Sequence, residues 1–401
     1  MNRLLVIAYY TPPLGLSGVM RVTKLCKFLP DFGWEPVIIT VKPVAYYASD
    51  PGLLADINRA RIVRTGSLDP NRLLMIVQRL LRAEATPRVP RSISGRWLNS
   101  ILVPDAKVGW LPFAIRAGRK AIQEFHPRAI FATAPPWTAL VAGTRLSEES
   151  GLPFIADFRD PYPAGFGLPP VYQRPVLKKI LKKITAQARQ VLAVNSGTAA
   201  GIKRLLQPEP GPVIQILENG FDPDEFTVEP ERLEGWALLY AGNLYENREQ
   251  IAGLLDALAR VPEVKFYLAG DTDPWSRKLL SANRQVVLLG RVKHSRVCAL
   301  MKGADALLYL GKPGQPVGLK LYEYLGANRP VIVWGKETDE AAALVREFGA
   351  GLVCNEPVGF QQAVAEIQAL GARFTEISRD RLNRRIQAHW LAELLNQTII
   401  G

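Results

Sequence analysis

Short, continuously apolar runs recur along this chain, separated by Gly/Pro loops and by segments of helical period. That alternation predicts parallel strands buried on both faces with helices between them. Residues 4–10 form the first such run and 11–18 a Pro/Gly loop. Val19, Val22, Leu25, Phe28 and Leu29 then keep helical spacing up to a stop at Gly33, and 36–41 is a second strand. Further strands are expected at 61–65, 129–133, 153–158, 190–194 and 213–217. After the Asn219-Gly220 turn, a polar stretch rich in Pro and Glu, 223–234, reads as a linker. A second series follows, with strands at 236–241, 264–269, 286–289, 305–310, 330–334 and 351–353, and helices near 248–260, 274–282, 294–302, 318–326, 337–348 and 358–370. The closing segment, 377–395, places Leu382, Ile386, Trp390 and Leu394 on one stripe. The expectation is an α/β protein with two Rossmann-like domains, 1–222 and 235–375, joined by the 223–234 linker and followed by a helix in 376–401 that packs back on the first domain.

One stretch departs from this rhythm. Residues 69–125 form an insertion longer than a crossover needs. In it Leu73, Leu74, Ile76, Val77, Leu80 and Leu81 alternate with Arg72, Arg79 and Arg82 as a short basic amphipathic helix. Trp97, Leu98, Ile101, Leu102, Trp110, Leu111 and Phe113 add apolar bulk. The mixture suits the surface of an anionic bilayer, and for the aromatics it suits packing beneath the insertion equally well.

Composition changes this picture in one respect. A chain of 401 residues with 48% hydrophobic and 22% charged positions is ordinary globular material, but its net charge of +13 is clustered. From Arg174 to Arg204 the basic residues, among them Lys178, Lys179, Lys182 and Lys183, occur without a single acid. The N-terminal half therefore presents a positive field suited to an anionic membrane, a polyanionic acceptor or nucleic acid, with a solvated basic face as the plain alternative. Cys26, Cys298 and Cys354 lack C-x-x-C spacing, and His126, His294 and His389 stand apart, so neither a disulfide framework nor a metal site is expected. The seven apolar residues before Thr11-Pro12-Pro13 are too few for a signal-peptide core, and no uncharged apolar run reaches about 18 residues, so a soluble or peripheral protein is expected.

The densest candidate chemistry lies at 318–334. A helix starting near Gly318, after a loop of Gly311, Pro313, Gly314 and Pro316, would aim its first amides and positive dipole end at an anion. Lys320 and Glu323, three apart on one face, suit phosphate oxygens and ribose hydroxyls respectively; a surface Lys–Glu pair on an ordinary crossover is the alternative. In the first half, Gly15 and Gly18 mark the first strand–helix loop without completing G-x-G-x-x-G, and they could simply permit a tight turn. Thr133-Ala134-Pro135-Pro136-Trp137 and Asp157-Phe158-Arg159-Asp160-Pro161-Tyr162 end two strands. Charges there suit substrate hydroxyls, although Arg159 could merely neutralise its neighbours.

The run Lys-Leu-Tyr-Glu-Tyr-Leu-Gly-Ala-Asn-Arg-Pro-Val-Ile at 320–332 resembles the donor-binding helix of family 4-like glycosyltransferases of the GT-B fold. The two strand-end motifs of the first half resemble segments of a bacterial subgroup of that family. The resemblance implies that Glu323 binds the donor ribose. It also puts Gln315 where a second Glu, eight residues upstream, often contacts the sugar. Gly242 and Asn243 are similar to the family's glycine loop, with Arg248 gripping the diphosphate together with Lys320, Gly318 and Leu319, and Arg291 flanking the base. Gly15, Gly18, Pro136, Asp157 and Arg159 would line the acceptor side, and Asp160 would oppose the developing sugar cation. The implied activity is retaining, metal-independent transfer of a hexosyl group from a nucleotide sugar, without a cofactor, to a lipid-linked or saccharide acceptor of envelope polysaccharide synthesis. The expected place is the inner face of the cell membrane, reached from the cytoplasm through the basic face, with no nucleic-acid partner. Rival readings are a sugar-nucleotide 2-epimerase of the same fold and a non-catalytic basic binding protein.

Overall fold

A computed structural model describes residues 1–44, 49–70, 72, 101–162, 170–207, 212–244, 248–311, 317–375 and 378–400. The chain divides into two units, Met1–Asn219 with Arg385–Gly401, and Gly220–Arg384.

The first unit is built on a seven-stranded parallel sheet in the order β3-β2-β1-β4-β5-β6-β7. Its strands are β1 (Asn2–Ile7), β2 (Trp34–Val41), β3 (Arg61–Thr65), β4 (Ala129–Ala134), β5 (Phe154–Phe158), β6 (Gln190–Ala193) and β7 (Ile214–Ile216). The helices of this unit are α1 (Ser17–Phe28), α2 (Leu111–Phe125), α3 (Trp137–Ser150), α4 (Arg174–Gln187) and α5 (Ser196–Leu206). The continuous apolar runs are explained by burial on both faces. Leu5 and Ile7 of β1 point into one apolar cluster, with Trp110 and Leu140, while Leu4 and Val6 point into another, with Val22 and Trp34. Gly33, with φ of 85°, ends the turn after α1 in a left-handed conformation that a side chain would resist.

The second unit has a six-stranded parallel sheet, β10-β9-β8-β11-β12-β13. These strands are β8 (Trp236–Ala241), β9 (Val264–Ala269), β10 (Val286–Gly290), β11 (Ala306–Leu310), β12 (Val331–Trp334) and β13 (Gly351–Cys354). The helices are α6 (Arg248–Ala259), α7 (Pro274–Ser281), α8 (His294–Gly303), α9 (Leu319–Gly326), α10 (Glu340–Glu347) and α11 (Pro357–Leu370). Both sheets reverse direction of growth beside their first strand, between β1 and β4 and between β8 and β11. These are the switch points at which open α/β sheets bind ligands.

Several expectations are corrected here. The stretch expected as a linker, 223–234, belongs to the second unit. It contains a 3-10 turn, Pro223–Thr227, and the Glu231 amide donates to Ala299 O on α8 at 2.9 Å. The last helix, α12 (Arg384–Ile400), uses only part of the stripe expected for it, with Leu394 and Trp390 packed on the first unit's core. Ile386 is 41% exposed, and Ala388, Leu391, Ala392, Leu394 and Leu395 face the first unit's core, the two alanines allowing close approach. Trp110 is fully buried and donates from Nε1 to Thr65 Oγ1 at 2.7 Å, with Leu111 and Phe113 packed on the same core, so these residues are not a bilayer-facing surface. The expected basic helix at 73–81, with Trp97 and Leu98, lies outside the described residues. Among the described residues no helix is long and apolar enough to cross a membrane.

Candidate donor site at the second switch point

The second unit's loops converge at the carboxyl ends of β8 to β11. Gly242 follows β8 with φ of 123°, and its amide donates to Ala269 O at 2.8 Å. Gly270 follows β9 so closely that a Cβ there would fall 2.2 Å from Gly242 O, so this position admits only glycine. Asn243 locks the same pair of loops: its Oδ1 accepts from the Asp271 amide at 3.0 Å, while the Leu244 amide donates to Asp271 O at 2.8 Å. Arg291, just past β10, has Nε 4.0 Å from Asp271 Oδ2 and is largely exposed.

Lys320 reaches back from the first turn of α9 to this loop. A Cβ built on Gly242 would lie 2.7 Å from Lys320 Nζ, and that ammonium sits 3.7 Å from the centre of the Tyr240 ring. Burial pushes the Tyr240 phenol up to about 12, with nearby Tyr309 adding to the rise, so the ring meets Lys320 as a neutral π-face. Tyr324, on the buried face of α9, accepts from the Ala241 amide at 2.8 Å and pins the helix to the end of β8. Its hydroxyl is raised far above the ordinary range, chiefly by burial.

The two helix starts fall where the sequence places them. Helix α9 begins at Leu319, and Gly318 is its N-cap, with its own amide donating to the Tyr309 hydroxyl at 3.1 Å. The dipole-positive end therefore starts at the amides of Leu319 and Lys320. Arg248 is the first residue of α6, and its guanidinium lies 4.7 Å from the centre of the Trp275 ring. Glu323 is half-buried on α9, one turn on from Lys320, and Gln315 lies outside the described residues. Tyr240, Gly270, Asp271 and Tyr309 were missed by sequence reasoning. The strand-end Gly270-Asp271 pair was the available signal.

In the first unit, residues around the first switch point hold the scaffold. Asp157 is fully buried, with Oδ1 2.7 Å from Arg21 Nη2 and Oδ2 accepting from Arg21 Nε at 3.0 Å and from Thr133 Oγ1 at 2.7 Å. Arg21 also donates to Glu218 O at 2.9 Å. Asp157 thus binds a structural cation from α1, beside the acceptor-side role expected for it. Arg159, also buried, donates to Gly18 O and, at 2.6 Å, to Pro135 O, clamping the loops after β1 and β4. Burial depresses the guanidinium, and main-chain carbonyls take its hydrogen bonds. Gly18 faces this guanidinium, and Gly15 packs on Asp50. Pro136 is the N-cap of α3. Asp160 remains half-buried. Burial holds its carboxyl above the ordinary range, opposed by Arg159 and Arg21 and reinforced by Asp157.

The basic face has partners as well. On α4, Lys178 donates to Gln207 O at 2.8 Å and Lys183 pairs with Glu148 of α3 at 3.0 Å, while Lys179 is exposed and Lys182 half-buried. The expectation of isolated histidines and cysteines is also corrected, because α8 brings His294 and Cys298 onto one face with their side chains 3.7 Å apart.

Comparison with known proteins fits this geometry. Residues 236–369 match the family Glycosyl transferases group 1, and no curated protein matches. Among solved structures, sucrose-phosphate synthase from Thermosynechococcus elongatus is similar over 99% of both chains, with TM-score 0.63 and 17% identity. Anabaena HepE in complex with UDP-glucose is similar over 100% of this chain and 98% of its own, with TM-score 0.59 and 15% identity. UDP-GlcNAc 2-epimerase from Methanocaldococcus jannaschii covers 98% of this chain and 99% of its own, with TM-score 0.53 and 12% identity. The chain has the GT-B fold, and its second unit carries the group 1 glycosyltransferase match.

Proposed function

We propose that this protein is a glycosyltransferase that takes a sugar from a nucleotide-sugar donor held by the second unit. The observation that carries the reading is the Lys320 ammonium set against Gly242 at the β8–β11 switch point, beside the amino end of α9. A cation, a close-packed glycine loop and a helix dipole at one strand end suit a diphosphate. The group 1 match spans these elements, and HepE, of similar fold, binds UDP and UDP-glucose.

Departure of a nucleoside diphosphate develops negative charge, which Lys320 and the amides opening α9 stabilise more in the transition state than in the ground state. Glu323 accepts from ribose hydroxyls, and Arg248 and Arg291 supply further positive charge along the same strand ends. On the first unit, Asp160 is the carboxylate assigned to oppose the sugar cation. The finer reading is retention of anomeric configuration without a required metal, with an acceptor hydroxyl on a lipid-linked or saccharide precursor. The basic face of α4 would dock on anionic lipid.

The test is incubation of the full chain with nucleotide sugars, with and without lipid-linked acceptor, followed by assay of free nucleoside diphosphate and of sugar. Diphosphate release that requires the acceptor, with sugar recovered on it, supports transfer. Release of an altered free sugar without acceptor would identify an epimerase, and no turnover with any donor would leave a binding protein.

A further inference from the structure

His294 and Cys298 stand four residues apart on α8, so both side chains fall on one helix face. Glu225, from the 3-10 turn Pro223–Thr227, reaches the same face. His294 Nε2 lies 3.2 Å from Glu225 Oε2 and 3.7 Å from Cys298 Sγ, and the three ligand atoms all lie within 4.8 Å of one another. Bonds of about 2.0 Å to nitrogen and oxygen and about 2.3 Å to sulfur around a tetrahedral zinc ion separate N from O by about 3.3 Å and N from S by about 3.6 Å. Both separations from nitrogen agree with those values, while the oxygen and sulfur, within 4.8 Å of each other, draw together when an ion binds.

Hydrogen bonding can engage the Nε2 atom with only one of its two neighbours at a time. An Nε2 atom carries one hydrogen at most, yet it faces a carboxylate oxygen and a sulfur together. If it donates to Glu225 it gives nothing to Cys298; if it accepts from the thiol, its lone pair faces the carboxylate. A cation satisfies all three atoms at once. Imidazole, thiolate and carboxylate are a zinc donor set, and the two anions balance a dipositive ion.

We propose that Glu225, His294 and Cys298 form a binding site for a divalent transition-metal ion, with zinc the best match and water as the fourth ligand. Cys298 is fully buried and the His294 side chain is 41% exposed, so the ion enters from the histidine side. The surroundings define its role. Lys302 Nζ donates to Phe226 O at 2.8 Å and Val228 O at 2.6 Å, and Arg296 pairs with Glu231 at 2.8 Å. A Cβ on Gly303 would fall 1.8 Å from Glu231 O. The segment from Glu225 to Glu231 is therefore already laid along α8, and the ion fastens its leading end. This inference does not rest on the proposed transferase activity.

The test uses the full chain, stripped with a chelator and titrated with cobalt(II) alone. The parent should bind one ion with thiolate-to-cobalt charge-transfer absorption and the strong visible bands of a tetrahedral site. Cys298→Ser should abolish the charge-transfer band, and His294→Gln and Glu225→Gln should each weaken binding by about tenfold or more. Cys26→Ser and Cys354→Ser should leave the spectrum unchanged. Zinc alone should raise the melting temperature of the parent and not that of His294→Gln, a readout that holds even if Cys298→Ser fails to fold. A parent without the thiolate band, a Cys298→Ser protein that retains it, or equal zinc stabilisation of parent and His294→Gln overturns the proposal.

Discussion

The Lys320 ammonium rests 3.7 Å from the centre of the Tyr240 ring, one residue before the β8 strand ends. The neutral ring holds the cation by its π-face at the strand end where the proposed diphosphate binds. Replacing Lys320 by Ala should lower turnover roughly 100-fold, the loss of about 3 kcal/mol that one oxyanion stabiliser contributes, while the melting temperature stays within a few degrees. Steady-state kinetics beside thermal melts check this, and parent-like turnover removes Lys320 from the mechanism.

Glu323→Ala should weaken nucleoside-diphosphate binding by about 1.5–3 kcal/mol through lost hydrogen bonds to the ribose and leave the fold intact. Unchanged affinity in calorimetry takes Glu323 out of the donor site.

The Arg21–Asp157 pair is nearly inaccessible on both sides, at 2% and 0% side-chain exposure. Removing one partner strands a buried charge, so Asp157→Ala should destabilise the protein by about 3–5 kcal/mol in denaturant unfolding. The variant that still folds should turn over like the parent. A stable Asp157→Ala protein with lost activity would favour the acceptor-side role over the structural one.

Asp160 carries a pH signature. Burial raises its folded-state pKa, so the ionised carboxylate costs stability above that value and the cost disappears below the unfolded value of about 3.9. Asp160→Asn should therefore melt above the parent at pH 7, with the gap closing towards pH 4, while its turnover falls. A parent that melts above the variant at pH 7 contradicts the sign of the shift.

Changing Lys178, Lys179, Lys182 and Lys183 together to Gln should reduce sedimentation with anionic vesicles, at about 1 kcal/mol per engaged residue, and spare nucleotide affinity. Equal sedimentation with neutral and anionic vesicles, or a variant that binds like the parent, ends the membrane reading.

The strands were legible in the sequence because burial on both faces leaves continuous apolar runs, and α9 was legible because Tyr324 and Leu325 pack beneath Lys320 in one compact motif. Pairings across the chain were not. Arg21 is separated from Asp157 by 136 residues, and nothing local to either marks the other. For Trp110 the choice between a bilayer surface and core packing stayed open in the sequence because Thr65, which satisfies its indole N–H, lies on a distant strand. The stripe assigned to α12 caught Trp390 and Leu394 but missed Ala388 and Ala392, whose small side chains share the packed face. His294 and Cys298 were read as isolated although their four-residue spacing on a helix was a signal, and Glu225 had to come from the fold.

The central claim, a donor diphosphate site at the second switch point, is tested most directly by calorimetric titration of the full chain with a panel of nucleoside diphosphates, in parallel with Lys320→Ala. The account predicts saturable binding of at least one of them by the parent, weakened about tenfold or more in the variant, in line with one charged hydrogen bond. Binding of equal strength to both proteins, or to neither, contradicts it.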